Sequence, residues 1–203
     1  MNTSSDTIRI IETIEARLPH LVTPRRLQHI RGVSAVALSL ARRFDLDSTR
    51  VHLAAVAHDM DRERPAAEQL ALVADWSVPL TSFERSCWKV IHGAVSAERL
   101  RRCYSLEDTE ILEAVRHHTL GDPVLARQKT PVGLVIYIAD FCDPGRRKPD
   151  KAARRSILDL ESIPQMAMRT IETARALYGP LEEATERLYA RLSGEMYDDT
   201  QDP

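Results

Sequence analysis

The chain has 203 residues, 43% of them hydrophobic and 29% charged, with 7 Gly against 11 Pro, a composition that describes a globular protein and excludes disordered, collagen-like and mini-protein classes. Lys and Arg total 28 against 30 Asp and Glu, a net charge of −2 at pH 7. The two signs are mixed along the whole chain, so no extended field draws it to nucleic acid or to a membrane surface, and any anionic ligand has to be held locally.

In chain order nearly every segment reads as helix, because apolar residues recur at steps of three and four and the boundaries carry helix caps rather than hairpin turns. A first helix is expected from about Asp6 to Leu18, stopping at Pro19. Thr23 caps a second, with Pro24 at its first position and Leu27, Ile30, Val33, Ala37 and Leu40 along one face. Ser48 starts a third, apolar from Leu53 to Ala57 and therefore expected to be buried on all sides. Pro65 opens a fourth. Thr81 with Glu84 forms a capping box for a long helix to about Arg102, and Ser105 with Asp108 forms another for a helix ending near His117. A loop from Thr119 to Lys129 leads to Thr130-Pro131, which caps a helix carrying Val132, Val135, Ile136 and Ala139. After the loop from Asp143 to Pro149, helices are expected at about Lys151 to Leu160, Pro164 to Tyr178, and Pro180 to Gly194, with a frayed tail YDDTQDP. Strand signals are nearly absent, so an all-α bundle of about nine or ten helices is expected, with no internal repeat.

The longest strongly apolar stretch, Gly133 to Ala139, is too short to span a bilayer, and the opening MNTSSDTIRIIE has no basic segment backed by an apolar one. A cytoplasmic location follows as the expectation. Cys87, Cys103 and Cys142 are odd in number and form no C-x-x-C pair, and are expected to be reduced structural thiols.

Chemistry-bearing residues gather at helix ends. His29 lies in the second helix, His58-Asp59 ends the third, His92 lies in the long capped helix, His117-His118 closes the next, and Asp140 ends an otherwise apolar run. Taken singly, each has an ordinary structural reading. An ionised Asp140 in that run, however, is costly unless something cationic faces it. Taken together, the mixture of imidazole and carboxylate suits a divalent ion such as iron, manganese or zinc, and Asp59 can bridge two of them.

The order His29, His58-Asp59 and Asp140 resembles the HD-domain superfamily of metal-dependent phosphohydrolases, and the added His92 and His118 resemble its two-metal branch. The words RLQHIRGVSAVALSLARRFDLD, HLAAVAHDMDRERP, VIHGAVSAERL, HHTLG and YIADFCDPGRRKP are similar to the blocks of the YqeK-like family, symmetrical diadenosine tetraphosphate hydrolases. The resemblance covers about residues 26–149. It implies a single domain over 1–203: an HD-domain helical bundle with a C-terminal helical extension at 151–194.

Residue by residue, the resemblance implies that His29, His58, Asp59 and Asp140 hold one metal ion and that Asp59, His92 and His118 hold a second. The ions are implied to be iron, with manganese or other divalent ions accepted, and a hydroxide activated by the pair attacks phosphorus. Arg62 stands where the family has a lysine, so it takes a phosphate-binding or charge-stabilising role without the ability to transfer a proton. Arg146 is a second phosphate candidate, whereas the adjoining Arg147 and Lys148 read as a solvated loop. Thr119 and Gly121 shape the loop after His118, with the Thr119 hydroxyl in reach of a phosphate, and Arg26 either pairs with an acid or reaches the phosphate chain. His117 is a rival to His118, but adjacent helix positions differ by ~100°, and the Thr after it favours His118.

The leading expectation is therefore cleavage of diadenosine tetraphosphate into two ADP. The alternatives are another nucleotide on the same site, such as a nucleoside monophosphate or a guanosine polyphosphate, or a non-catalytic nucleotide-sensing module. The expected partner is the dinucleoside polyphosphate, with no nucleic acid and no membrane, and a homodimer is left open.

Overall fold

Capping residues and apolar stripes fix twelve α-helices in the computed structural model, which describes residues 3–194. They are α1 (Ser4–Leu21), α2 (Pro24–Arg43), α3 (Ser48–Ala57), α4 (Ala66–Asp75), α5 (Ser82–Ser86), α6 (His92–Cys103), α7 (Thr109–His117), α8 (Pro123–Arg127), α9 (Val132–Phe141), α10 (Lys151–Leu158), α11 (Ile163–Tyr178) and α12 (Glu183–Ser193). Among the described residues there is no strand, and no helix is long and apolar enough to cross a membrane. The tail YDDTQDP lies outside the described residues.

Several boundaries differ from the expectation. α1 runs through Pro19: the proline removes only its own N–H from the ladder, and the last turn is closed by the Val22 N–H donating to the Leu18 carbonyl at 3.1 Å. The capping box of Thr81 and Glu84 is present, but the helix it starts ends at Ser86. Ser86, Cys87 and Trp88 are indifferent helix formers, and Cys87 leaves helical geometry at φ −129°, ψ 82°. A single 3₁₀ turn (Trp88–Val90) follows, and α6 begins anew with His92 as its first residue.

Ser105 adopts a left-handed φ of 51°, and it is Asp108 that caps α7 by accepting the Ile111 N–H. The expected loop after Thr119 contains α8, which Asp122 caps and Pro123 opens, a start signal passed over in reading the sequence. Thr130 contributes only its carbonyl, at 2.7 Å from the Val132 nitrogen, so α9 begins without a side-chain cap. The split of the long helix and the added α8 account for the excess over ten. α10 stops at Leu158 and α12 begins only at Glu183, ending on a left-handed Gly194.

α3 is the central element. Val51 and the run Leu53 to Ala57 are all buried, as their unbroken apolar character implies, and α1, α2, α7 and α9 pack around them. α9 is buried in the same way from Val132 to Ala139, under α2, α7 and α11, and α12 rests on α8 and α11. The C-terminal ends of α3, α7 and α9 converge. α6 approaches α7 so closely at Gly93 that a Cβ there would stand 2.5 Å from the Arg116 carbonyl oxygen, and this approach brings His92 to the same place.

Candidate metal centre

Four imidazoles and two carboxylates meet where these helix ends converge. His58 and His118 are the C-terminal caps of α3 and α7, Asp59 is the next residue after His58, His92 opens α6, and Asp140 sits in the last turn of α9. His29 comes from the middle of α2. All but His29 and Asp140 are buried.

Asp59 lies at the centre. Its Oδ2 is 3.5 Å from the Nε2 atoms of both His29 and His58, while its Oδ1 is 3.1 Å from His92 Nε2 and 3.5 Å from His118 Nε2. Two groups of three follow, His29 with His58 and Asp59, and Asp59 with His92 and His118, the ligating atoms within each lying no more than 4.8 Å apart. Asp140 joins the first through Oδ1, 2.9 Å from His29 Nε2 and 3.9 Å from His58 Nε2. The Nε2 atoms of His29 and His58 are buried without a hydrogen bond, although Asp140 Oδ1 stands close to both. Unpartnered buried nitrogens facing carboxylates are what a cation would satisfy. His92 and His118 bring their Nε2 atoms within 3.2 Å of each other, which a shared ion would also explain.

The remaining ring nitrogens fix this orientation. His58 Nδ1 donates to the Ala55 carbonyl at 2.7 Å, His118 Nδ1 to Val115 at 2.7 Å, and His92 Nδ1 to Lys89 at 3.1 Å. With Nδ1 holding the proton, each Nε2 presents its lone pair to the cluster. His29 does the same through a carboxylate, its Nδ1 lying 2.7 Å from Asp143 Oδ2. Asp143 is buried, and α2 admits it only because residue 32 is glycine: a Cβ there would stand 2.0 Å from Asp143 Oδ1. Nothing in the sequence beyond a lone Asp in FCDPG signalled this role.

The electrostatics agree with the geometry. Burial would raise the Asp59 carboxyl, but the imidazoles of His58, His118 and His92 hold it well below the usual carboxylate range. Asp140, also pushed up by burial, is held down chiefly by Arg146 and His29. Burial drops His92 to about 4, against the pull of Asp59, so its ring is neutral. His29 is pushed down by burial, yet Asp140 and Asp143 lift it to about 9.

The candidate phosphate-binding residues ring the cluster. Arg26 places Nη1 2.7 Å from Asp59 Oδ2, so it pairs with an acid, and Arg146 grips Asp140 through Nη2–Oδ1 at 2.5 Å and Nε to the backbone carbonyl at 2.7 Å. Arg62 Nη1 donates to the Lys89 carbonyl beside the His92 ring. The Thr119 hydroxyl lies between the two rings, 3.0 Å from His118 Nε2 and 3.4 Å from His92 Nε2. Arg26, Arg62, Thr119 and Arg146 all face a cavity of about 400 Å³ that Tyr137, Tyr178 and Leu181 also line.

Gly121 does not reach this cavity. It takes a left-handed φ of 73°, and a Cβ would stand 2.7 Å from Leu188 Cδ2, so it shapes the loop against α12. His117 turns away, its Nδ1 3.9 Å from Asp122, and His118 is the member of the pair that joins the cluster. Asp61, conspicuous beside the His-Asp pair, binds Arg64 and forks with Arg99 at 2.9 Å, which makes it a structural anchor.

Comparison with known proteins gives a consistent result. Residues 26–145 match the model of the HD domain. The chain is 35% identical over 130 residues to a symmetrical bis(5'-nucleosyl)-tetraphosphatase of Bacillus subtilis (strain 168), covering 63% of this chain and 66% of that protein, just under two thirds. A protein of the same name from Staphylococcus aureus is 30% identical over 155 residues, 72% of this chain and 76% of that one. A probable nicotinate-nucleotide adenylyltransferase/Ap4A hydrolase of Mycoplasma genitalium is 29% identical, but the match spans only 37% of its length. Among solved structures, a predicted HD superfamily hydrolase involved in NAD metabolism from Clostridium acetobutylicum superposes with a TM-score of 0.78 at 21% identity, over 91% of this chain and 97% of that one, which shows a shared fold.

Proposed function

The chain belongs to the HD domain family, a fold of metal-dependent phosphohydrolases, and on that premise we propose that it hydrolyses diadenosine tetraphosphate symmetrically to two ADP. One observation carries the reading: Asp59, which two His/Asp groups share, lines with His92, His118 and Asp140 a cavity that three arginines also line. We read residues 1–203 as one cytoplasmic enzyme that binds a dinucleotide and not nucleic acid, with a homodimer left open.

His29, His58, Asp59 and Asp140 would hold one divalent ion and Asp59, His92 and His118 the other, and the buried orphan nitrogens fit such ions. The nitrogen-rich, thiolate-free donor set suits iron, with manganese as a substitute. When bound, two such ions supply an activated water nucleophile and neutralise charge on the phosphoryl oxygens. The protein does the rest. Arg62 and Arg146 bind the phosphates on either side of the cut, the Thr119 hydroxyl orients a phosphoryl oxygen, and Arg26 steadies Asp59 while facing the cavity. Because a tetraphosphate has two equivalent inner phosphorus atoms, holding either one at the cluster with the central bridging oxygen in line with the nucleophile breaks the central P–O–P bond, expels the other half as ADP and leaves two phosphates on each nucleoside.

Asp143 has a separate task, which is to keep the His29 ring turned with Nε2 toward the cluster. Asp143→Ala is expected to weaken metal binding about 10–100-fold with the fold retained, and Asp143→Asn, which still accepts from Nδ1, less so; a competition titration against a chelator measures both.

The reaction itself is tested in oxygen-18 water with manganese or anaerobic iron. ADP as sole product, labelled in one molecule per cleavage, supports the reading. ATP with AMP would mean that an outer phosphoanhydride bond breaks in place of the central one and would overturn it.

A further inference from the structure

A dinucleotide cut in its middle needs two places for its nucleosides, one on either side of the cluster. The central cavity offers one. Its rim at Arg146 and Tyr178 is shared with a second cavity of about 630 Å³, lined by Arg25, Arg146, Arg147, Lys148 and Tyr178, within the ~300–1,000 Å³ typical of ligand sites. No carboxylate lines this second cavity. Arg146 is committed to Asp140, but the side chains of Arg25, Arg147 and Lys148 make no ion pair or hydrogen bond among the described residues. Three unspent cations beside a fourth repel one another unless an anion joins them.

Arg25 stands in the first turn of α2, and the loop that leads into Arg147 and Lys148 is tied down rather than loosely solvated. The Gly145 N–H donates to Asp143 Oδ1 at 3.1 Å, the Arg146 N–H to the Asp143 carbonyl at 3.1 Å, and Arg154 donates to the Arg146 carbonyl. Asp143 in turn is tied to His29, so the basic shelf is held in register with the cluster. Tyr178, the last residue of α11, stands at the junction with 59% of its surface exposed, more than any other exposed large apolar residue among the described residues. An exposed aromatic ring beside Arg and Lys is a platform on which a purine base stacks while cations take its phosphates.

We propose that this shelf, Tyr178 with Arg25, Arg147 and Lys148, seats the second nucleoside half of the dinucleotide while the first occupies the central cavity. The assignment rests on the dinucleotide reading above and extends it: the shelf is what distinguishes a dinucleoside tetraphosphate from a nucleotide with one base.

Two measurements on the manganese-loaded full chain test this. One is calorimetric binding of a non-hydrolysable methylene analogue of diadenosine tetraphosphate against ADP. The other is kcat/KM for diadenosine tetraphosphate relative to adenosine 5'-tetraphosphate, which has the same phosphates and one nucleoside. Tyr178→Ala, and separately Arg147→Ser with Lys148→Ser, should weaken the dinucleotide analogue and lower the substrate ratio about tenfold, through KM, with Tyr178→Phe close to wild type. An equal loss on both substrates, or no loss on either, overturns the proposal. If the analogue shows a Tyr178-dependent advantage but no ADP is released from diadenosine tetraphosphate, the shelf stands and the hydrolase reading falls. If ADP is released and the advantage is absent, the reverse holds.

Discussion

Asp59→Ala should abolish turnover of diadenosine tetraphosphate, by at least about 10³-fold, and strip the chain of both ions. Asp59 is the only residue common to both His/Asp groups, with Oδ2 facing His29 and His58 and Oδ1 facing His92 and His118. No neighbouring carboxylate can replace it: Asp140 reaches only the first group and Asp143 is occupied with the far nitrogen of His29. The fold should survive, because the buried run of α3 ends before the cluster and its packing against α1, α2, α7 and α9 does not involve Asp59. Asp59→Asn, which keeps the shape but loses the charge, should be nearly as inactive. Elemental analysis and circular dichroism on both variants check this. Full activity in either would remove Asp59 from the site.

His92→Ala and His118→Ala should separate the two ions. Each removes one imidazole from the second group while leaving His29, His58, Asp59 and Asp140 in place, so metal content is expected to fall from two toward one per chain and turnover by about 10²-fold or more. The two effects should not add, since each variant disables the same ion. His117→Ala, beside it in sequence but turned toward Asp122, should retain both ions. Two ions and undiminished turnover in the His92 and His118 variants would contradict the pairing.

Much of this was legible from residue order. The apolar run Leu53 to Ala57 is a buried helix because nothing polar interrupts it, and the helix periodicities that placed His58 and His118 at helix ends held. The choice of His118 over His117 rested on the Thr that follows it, since the angular step between adjacent positions says only that the two cannot face the same ion. What sequence could not supply came from contacts between distant segments. A capping box marks where a helix starts but not how far it runs, so the break at Cys87, which makes His92 the first residue of α6, was hidden. Asp143 acts through His29, 114 positions away, and Gly32 appears as a helix weak point until that carboxylate is seen against it. Arg147 and Lys148 read as ordinary solvated charges because only folding brings Tyr178 beside them.

The most direct measurement is turnover of diadenosine tetraphosphate by the metal-free chain as anaerobic ferrous iron is added in steps. Activity is predicted to be absent at the start, to rise steeply past the first equivalent, and to level off at two per chain with ADP the sole product. Full activity at one equivalent, or without metal, would contradict a centre built on two ions sharing Asp59.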